Sequence, residues 1–154
     1  MINPKGVVIH HIAHTTWGFD ETRSYHINER GWKDIGYNFF VEKDGTVKVG
    51  RGFEQGAHVS GYNHELLGYG FAGNFEVEYP TKAQYYGAAR HMALVMAKFN
   101  LTEKDIHKHS EYASTACPGK NFDMKYFKTL VKDLLPFAKD LNYLQEQGIV
   151  NTPE

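Results

Sequence analysis

The stretch VVIHHIAHT, residues 7–15, supports two incompatible pictures of its three histidines. His10 and His14 have the i, i+4 spacing of a zinc pair on a helix. They follow three consecutive β-branched residues, Val7, Val8 and Ile9, whose stiff side chains favour an extended backbone. The lack of alternation from Val7 to Ile12 predicts a strand in a sheet buried on both faces. On a strand, successive side chains point to opposite faces. His10 and His11 then diverge, His14 falls in the loop beyond, and the geometry of a helical zinc pair is lost. Only one of His10 and His11 can join ligands gathered on one side of the sheet, and alternation does not choose between them. Strand ends are common places for sites in α/β domains.

Beyond that strand, strands and helices intermix. A helix is predicted from about Asp20 to Arg30, with Asp20 as cap and Gly31 as stop. In GYNFFVEKDGTVKVGR (36–51), two apolar stretches flank Asp44-Gly45, a strong hairpin signal. Residues 52–68 read as an irregular loop and Leu67 to Ala72 as a strand interrupted by glycines. Thr81 and Gln84 form a capping box, and Tyr85, Ala89, Met92, Met96 and Phe99 then mark the core stripe of a long helix. Ile106 to His109 is a short extended segment. A further helix carries Met124, Phe127, Leu130 and Leu134 and is expected to end near Pro136. FAKDLNYLQEQG reads as another helix closed by Gly148, with IVNTPE (149–154) after it. The pattern predicts one α/β domain with a mixed sheet.

The bulk properties exclude several classes. A chain of 154 residues suits one domain with a sizeable core. The net charge of −1 offers no broad basic field, so no nucleic-acid partner is expected. No apolar run approaches the roughly 18–20 residues of a transmembrane span. MINPKGVVIHH lacks the basic region and long apolar core of a secretory signal, so synthesis in the cytoplasm is expected. A single cysteine, Cys117, rules out an intrachain disulfide, and nine histidines make a metal site worth testing.

KHSEYASTACPGK (108–120) supplies the other donors. Cys117 precedes Pro-Gly and so sits on a turn. His109 lies eight residues upstream, and the intervening loop can bring both side chains to one point. One histidine from residues 7–15 would complete a His, His, Cys set. Three protein ligands leave a fourth tetrahedral position open, the pattern of catalytic zinc, and a thiolate favours zinc over magnesium or calcium. His107 is expected to share a strand face with His109, and from the residues alone that pair is a further metal candidate.

Four segments then carry a specific resemblance: VVIHHIAHT, HINERGWKDIGYNFFVEKDGTVKVGR (26–51), GAHVSGYN (56–63) and HSEYASTACPG (109–119), with GNF (73–75) as a weaker match. In order and spacing they resemble the zinc-dependent N-acetylmuramoyl-L-alanine amidases of the amidase type 2 and peptidoglycan recognition protein family, which includes phage endolysins. The resemblance spans roughly residues 6–135. It implies a central mixed β-sheet flanked by helices, with His10, His109 and Cys117 as ligands of Zn2+. The family's spacing to the cysteine is what selects His109 over His107. It implies Tyr37, in the GYNF segment, as the catalytic tyrosine. Thr115, two residues before the cysteine, stands where some members carry lysine. His58 matches a position lining the substrate groove, and His11, Trp32 and Asn63 are weaker candidates for it. Core packing beside Gly31 is the stronger expectation for Trp32. His26 matches a buried, hydrogen-bonded position beneath the site, while Glu111, His64 and His91 are expected on the surface.

The implied activity is hydrolysis of the amide joining N-acetylmuramic acid to L-alanine in bacterial peptidoglycan. An endolysin-like protein made in the cytoplasm would reach the wall after the membrane is opened. The expected organisation is a catalytic unit at residues 1–136 and a C-terminal helix with a possible linker start at 137–154, most simply as a monomer. The rival classes are a module that binds peptidoglycan without cutting it, a scaffold with structural zinc, and an amidase of muropeptide recycling. Retention of His10, Tyr37, His109 and Cys117 favours the enzyme.

Overall fold

A computed structural model describes residues 1–148; the last part of the expected linker start, residues 149–154, lies outside the described residues. Five strands form one mixed sheet in the order β3-β2-β4-β1-β5. They are β1 (Gly6–His11), β2 (Phe39–Val41), β3 (Val47–Val49), β4 (Leu66–Phe71) and β5 (Ile106–Lys108). The segment carrying the histidine pair is a central strand, parallel to β4 on one side and β5 on the other. All six of its residues are buried, which is why the sequence shows no alternation.

Alternation reappears in what each face meets. Val7 and Ile9 of β1, with Leu67, Tyr69 and Phe71 of β4, face the main core beneath two helices, α2 (Lys82–Phe99) and α3 (Met124–Glu146). The helices contribute Ala89, Met92 and Met96, and Phe127, Val131 and Leu135. Val8 and Leu66 face the other side, where they join Val59 of the long loop. His10 shares the face of Val8, so it points away from the helical layer.

The hairpin forms around Asp44-Gly45 as expected, with β2 and β3 antiparallel and Gly45 at φ +87°. Gly87 of α2 meets the Gly45 carbonyl so closely that a Cβ would overlap it, which seats the turn against the helix. The capping box of α2 also forms, each of Thr81 and Gln84 accepting the other's backbone N–H at 3.0 Å. The helix before the hairpin, α1 (Phe19–Asn28), begins earlier than expected. Its cap is Gly18 rather than Asp20, because Glu21 accepts the Gly18 N–H at 2.9 Å and Glu42 accepts that of Phe19 at 2.9 Å.

The expected break near Pro136 does not occur. α3 runs 23 residues with Pro136 inside it. Proline removes one bond, that of its missing N–H to the Lys132 carbonyl. Pro136 and Lys132 both lie on the exposed side, where water can take over that carbonyl. The buried stripe Phe127, Val131, Leu135 and Ala138 continues across the site unbroken, so packing on α2 outweighs the lost bond.

Candidate metal centre and cleft

The three expected donors converge although they come from distant parts of the chain. His10 ends β1, His109 opens a 3-10 turn (His109–Glu111) after β5, and Cys117 lies on the following loop. One ligand atom from each lies within 4.8 Å of the others, and they form the one such group of three found among the described residues. Cys117 Sγ is 3.8 Å from His10 Nδ1, and the rings of His10 and His109 are 4.5 Å apart between centroids. The cysteine loop is tied down from both sides. Ser110 N–H donates to the Cys117 carbonyl, and His11 N–H donates to Sγ at 3.3 Å.

Burial sets the protonation of these groups. Loss of solvation holds His10 well below the ordinary imidazole range, with the nearby His58, His109 and His11 adding to the effect. His109 is lowered for the same first reason. Both imidazoles are therefore neutral donors at neutral pH. Burial pushes the Cys117 thiol up to about 12, opposed by the His11 N–H bond. Two neutral nitrogens and one sulfur on one side of a cleft fit a tetrahedral zinc ion with one position left over, and a thiol in this setting deprotonates when a metal takes the thiolate.

The cluster opens into a cleft of about 310 Å³ that also touches Tyr37, Thr115, Trp32 and Arg30. Tyr37 is held by its neighbours in sequence. Gly36 approaches the Ala57 carbonyl more closely than any Cβ would allow. Asn38, fully buried, accepts the Gly68 N–H and donates to the carbonyls of Gly52 and Glu54. The Tyr37 ring lies over Gly70, the register partner of His10, where a Cβ would sit 2.5 Å from it. Burial raises the Tyr37 hydroxyl pKa far above the ordinary phenol value, so it remains a hydrogen-bond donor. Thr115 Oγ1 accepts the Cys117 N–H at 3.2 Å, which leaves its hydroxyl proton free.

Several expectations change. Trp32 is not in the core; it packs against Gly36 and faces the cleft, half-buried, with the Arg30 guanidinium 5.2 Å from its ring. Asn63 does not line the cleft: its side-chain oxygen is taken by the N–H groups of His58 and Val59, each at 2.9 Å. His11 reaches the cleft wall, but its Nδ1 accepts the Phe75 N–H at 2.9 Å. His58 also lines the cleft, with both ring nitrogens engaged by protein atoms. His26 is buried and hydrogen-bonded as expected, accepting the Gly36 N–H, but it lines the cleft rather than lying beneath it.

His107 and His109 do not share a strand face, because β5 stops at Lys108; His107 pairs with Glu111 at 3.2 Å instead. His14 stacks on Trp17 at 4.1 Å and has no part in the donor group. His91 is not a free surface residue, since its Nδ1 takes the Tyr69 hydroxyl at 2.7 Å. Arg30 was not anticipated, and neither were Gly68 and Gly70. The glycines had a signal: Leu67, Tyr69 and Phe71 occupy one alternating set in LLGYGF, and the small residues fall on the other.

Fold and donor group together define an α/β domain that gathers a His-His-Cys cluster at one end of its parallel strands. The chain belongs to the N-acetylmuramoyl-L-alanine amidase family, whose profile matches residues 2–120. It is 35% identical to the endolysin of Escherichia phage T7 over 115 residues, covering 70% of this chain and 72% of that protein. It is 36% identical to peptidoglycan-recognition protein SC2 of Drosophila melanogaster over 101 residues, 64% of this chain. The match spans 55% of that relative's length. Among solved structures, the endolysin N-acetylmuramoyl-L-alanine amidase LysCS from Clostridium intestinale URNW superposes with a TM-score of 0.77 at 34% identity, covering 83% of each chain. No helix among the described residues is long and apolar enough to cross a membrane.

Proposed function

We propose that this chain is a zinc-dependent N-acetylmuramoyl-L-alanine amidase that cleaves the amide between N-acetylmuramic acid and the L-alanine of the peptidoglycan stem peptide. The observation that carries this reading is the convergence of His10, His109 and Cys117 donor atoms within 4.8 Å at the base of an open cleft. The catalytic unit is residues 1–136, supported by the remainder of α3. The phage endolysin among its relatives supports a wall-lytic role, acting on peptidoglycan from within an infected or lysogenic cell.

His10, His109 and Cys117 would hold the zinc, with a net charge of +1 on the set. A zinc ion bound there supplies Lewis acidity toward the amide carbonyl and lowers the pKa of water towards ~7. Tyr37 keeps its proton and donates a hydrogen bond to the oxyanion that develops as the amide carbon becomes tetrahedral. Thr115, which accepts the Cys117 N–H, donates its hydroxyl proton to the same charge. One such donor is worth about 3 kcal/mol in a transition state. Trp32 and Arg30 form the cleft wall on the side of α1, where a flat apolar surface and a cation suit a glycan ring and a stem-peptide carboxylate. Hydrolysis leaves a lactyl carboxylate on the sugar and a free amine on alanine.

Purified protein incubated with defined muropeptides, with and without a chelator, tests the reading by mass spectrometry. Free stem peptide that disappears with chelator and with Cys117→Ser supports the amidase. Intact muropeptide held in tight complex would make the chain a recognition module, and cleavage between stem amino acids would make it a peptidase.

A further inference from the structure

His58 stands outside the donor trio, yet both of its ring nitrogens are committed. Nε2 lies 2.9 Å from the Leu66 carbonyl oxygen, and Nδ1 lies 2.9 Å from His10 Nε2. A carbonyl oxygen only accepts, so the neutral His58 ring carries its proton on Nε2 and presents a lone pair at Nδ1. The hydrogen between the two rings must then belong to His10 Nε2. That leaves the His10 lone pair on Nδ1, the atom 3.8 Å from Cys117 Sγ. The orientation of His10 as a donor thus follows from a chain of two hydrogen bonds that ends on the backbone of β4.

His58 is itself held in place. Its N–H donates to Asn63 Oδ1 at 2.9 Å, and its ring lies flat against the backbone of Gly68. Any Cβ at position 68 would overlap the His58 ring. The ring stands at 90° to that of His10, with centroids 5.0 Å apart. A substrate could hydrogen-bond His58 only by breaking one of its two existing bonds.

We propose that His58 is a positioning residue: it locks His10 in the Nε2–H tautomer with the Nδ1 lone pair turned toward Cys117 and His109, and Gly68 and Asn63 hold it in that task. The inference rests on the zinc reading given above. A metal-bound histidine commonly donates its second N–H to a carboxylate, a carbonyl or water; here a second histidine, anchored on a strand carbonyl, takes that part.

Three measurements on the purified chain test it. Histidine ¹⁵N NMR on the wild-type protein before zinc addition should report His10 protonated at Nε2 and bare at Nδ1, and the opposite tautomer overturns the proposal without any substitution. Zinc affinity, read by competition with a fluorescent chelator, should then fall about 10- to 100-fold in His58→Phe. Phe keeps a ring on Gly68 and offers no acceptor. His58→Asn keeps an acceptor near the Nδ1 position and loses the ring, so it should bind zinc more tightly than His58→Phe. Better rescue by Phe than by Asn would reduce His58 to packing. Unchanged zinc affinity in both variants with a raised KM for muropeptide would return it to the substrate groove. If the wild-type chain binds no zinc, the metal reading itself fails, an outcome distinct from variants that match a zinc-binding wild type.

Discussion

Cys117 and His10 meet across 107 positions of sequence, so each histidine near the strand can be tested one at a time for its claim on the metal. His10→Ala and Cys117→Ser should abolish zinc uptake, measured as metal content after dialysis, whereas His14→Ala should retain it. Metal loss in His14→Ala would restore the helical i, i+4 pair and sink the strand-based ligand set. Tyr37 separates chemistry from metal binding. Its ring packs on Gly70 and its hydroxyl stays protonated, so Tyr37→Phe should keep zinc affinity and lower kcat by about 10²-fold, as the loss of one oxyanion donor does. Steady-state kinetics beside a zinc titration checks both halves.

Two elements bear strain or close contact that the chain tolerates for opposite reasons. In β4 the small residues at 68 and 70 form a floor for two rings, so the strand gives up side-chain packing to admit His58 and Tyr37. Gly70→Ala should displace Tyr37, cost about 1–3 kcal/mol through overpacking and lower kcat; a chemical melt and a rate assay measure the two effects. In α3 the proline sits on the exposed side of a helix whose buried stripe needs continuity. Pro136→Ala restores the N–H to the Lys132 carbonyl and should raise stability by about 1–3 kcal/mol, up to the intrinsic penalty of proline in a helix. An unchanged or lowered denaturation midpoint would mean that the helix is bent for a packing reason at that point.

At the scale of the whole molecule, buried neutral histidines couple folding to pH. Burial lowers His91 to about 4, and burial with the charges of Arg30 and Arg51 lowers His26 to about 4. An unfolded histidine titrates near 6.5, so between about 6.5 and 4 the unfolded chain binds protons that the native chain refuses. Stability present above pH 6.5 is therefore lost as pH falls through that window. The melting temperature should drop between pH 7 and pH 4. His91→Asn, which keeps an acceptor for the Tyr69 hydroxyl and removes the titration, should show a shallower drop than wild type.

Much of this was legible along the chain, because the signals were local. β-branching placed the central strand at residues 7–12, Asp44-Gly45 placed the hairpin, and Thr81 with Gln84 placed the start of α2. The donor types were legible as candidates, one cysteine on a Pro-Gly turn and a histidine eight residues before it, while the choice of His109 over His107 came with the family resemblance. Position along a strand could not choose between His10 and His11, because alternation says only that they oppose each other. The family resemblance selected His10, and the three-dimensional packing gives the physical reason: α2 and α3 cover the Val7 and Ile9 side, which turns His10 toward the cleft. The same packing carried α3 through Pro136 and brought His58, Gly68 and His10 into one line. Those arrangements depend on contacts between segments tens of residues apart, and no local propensity records them.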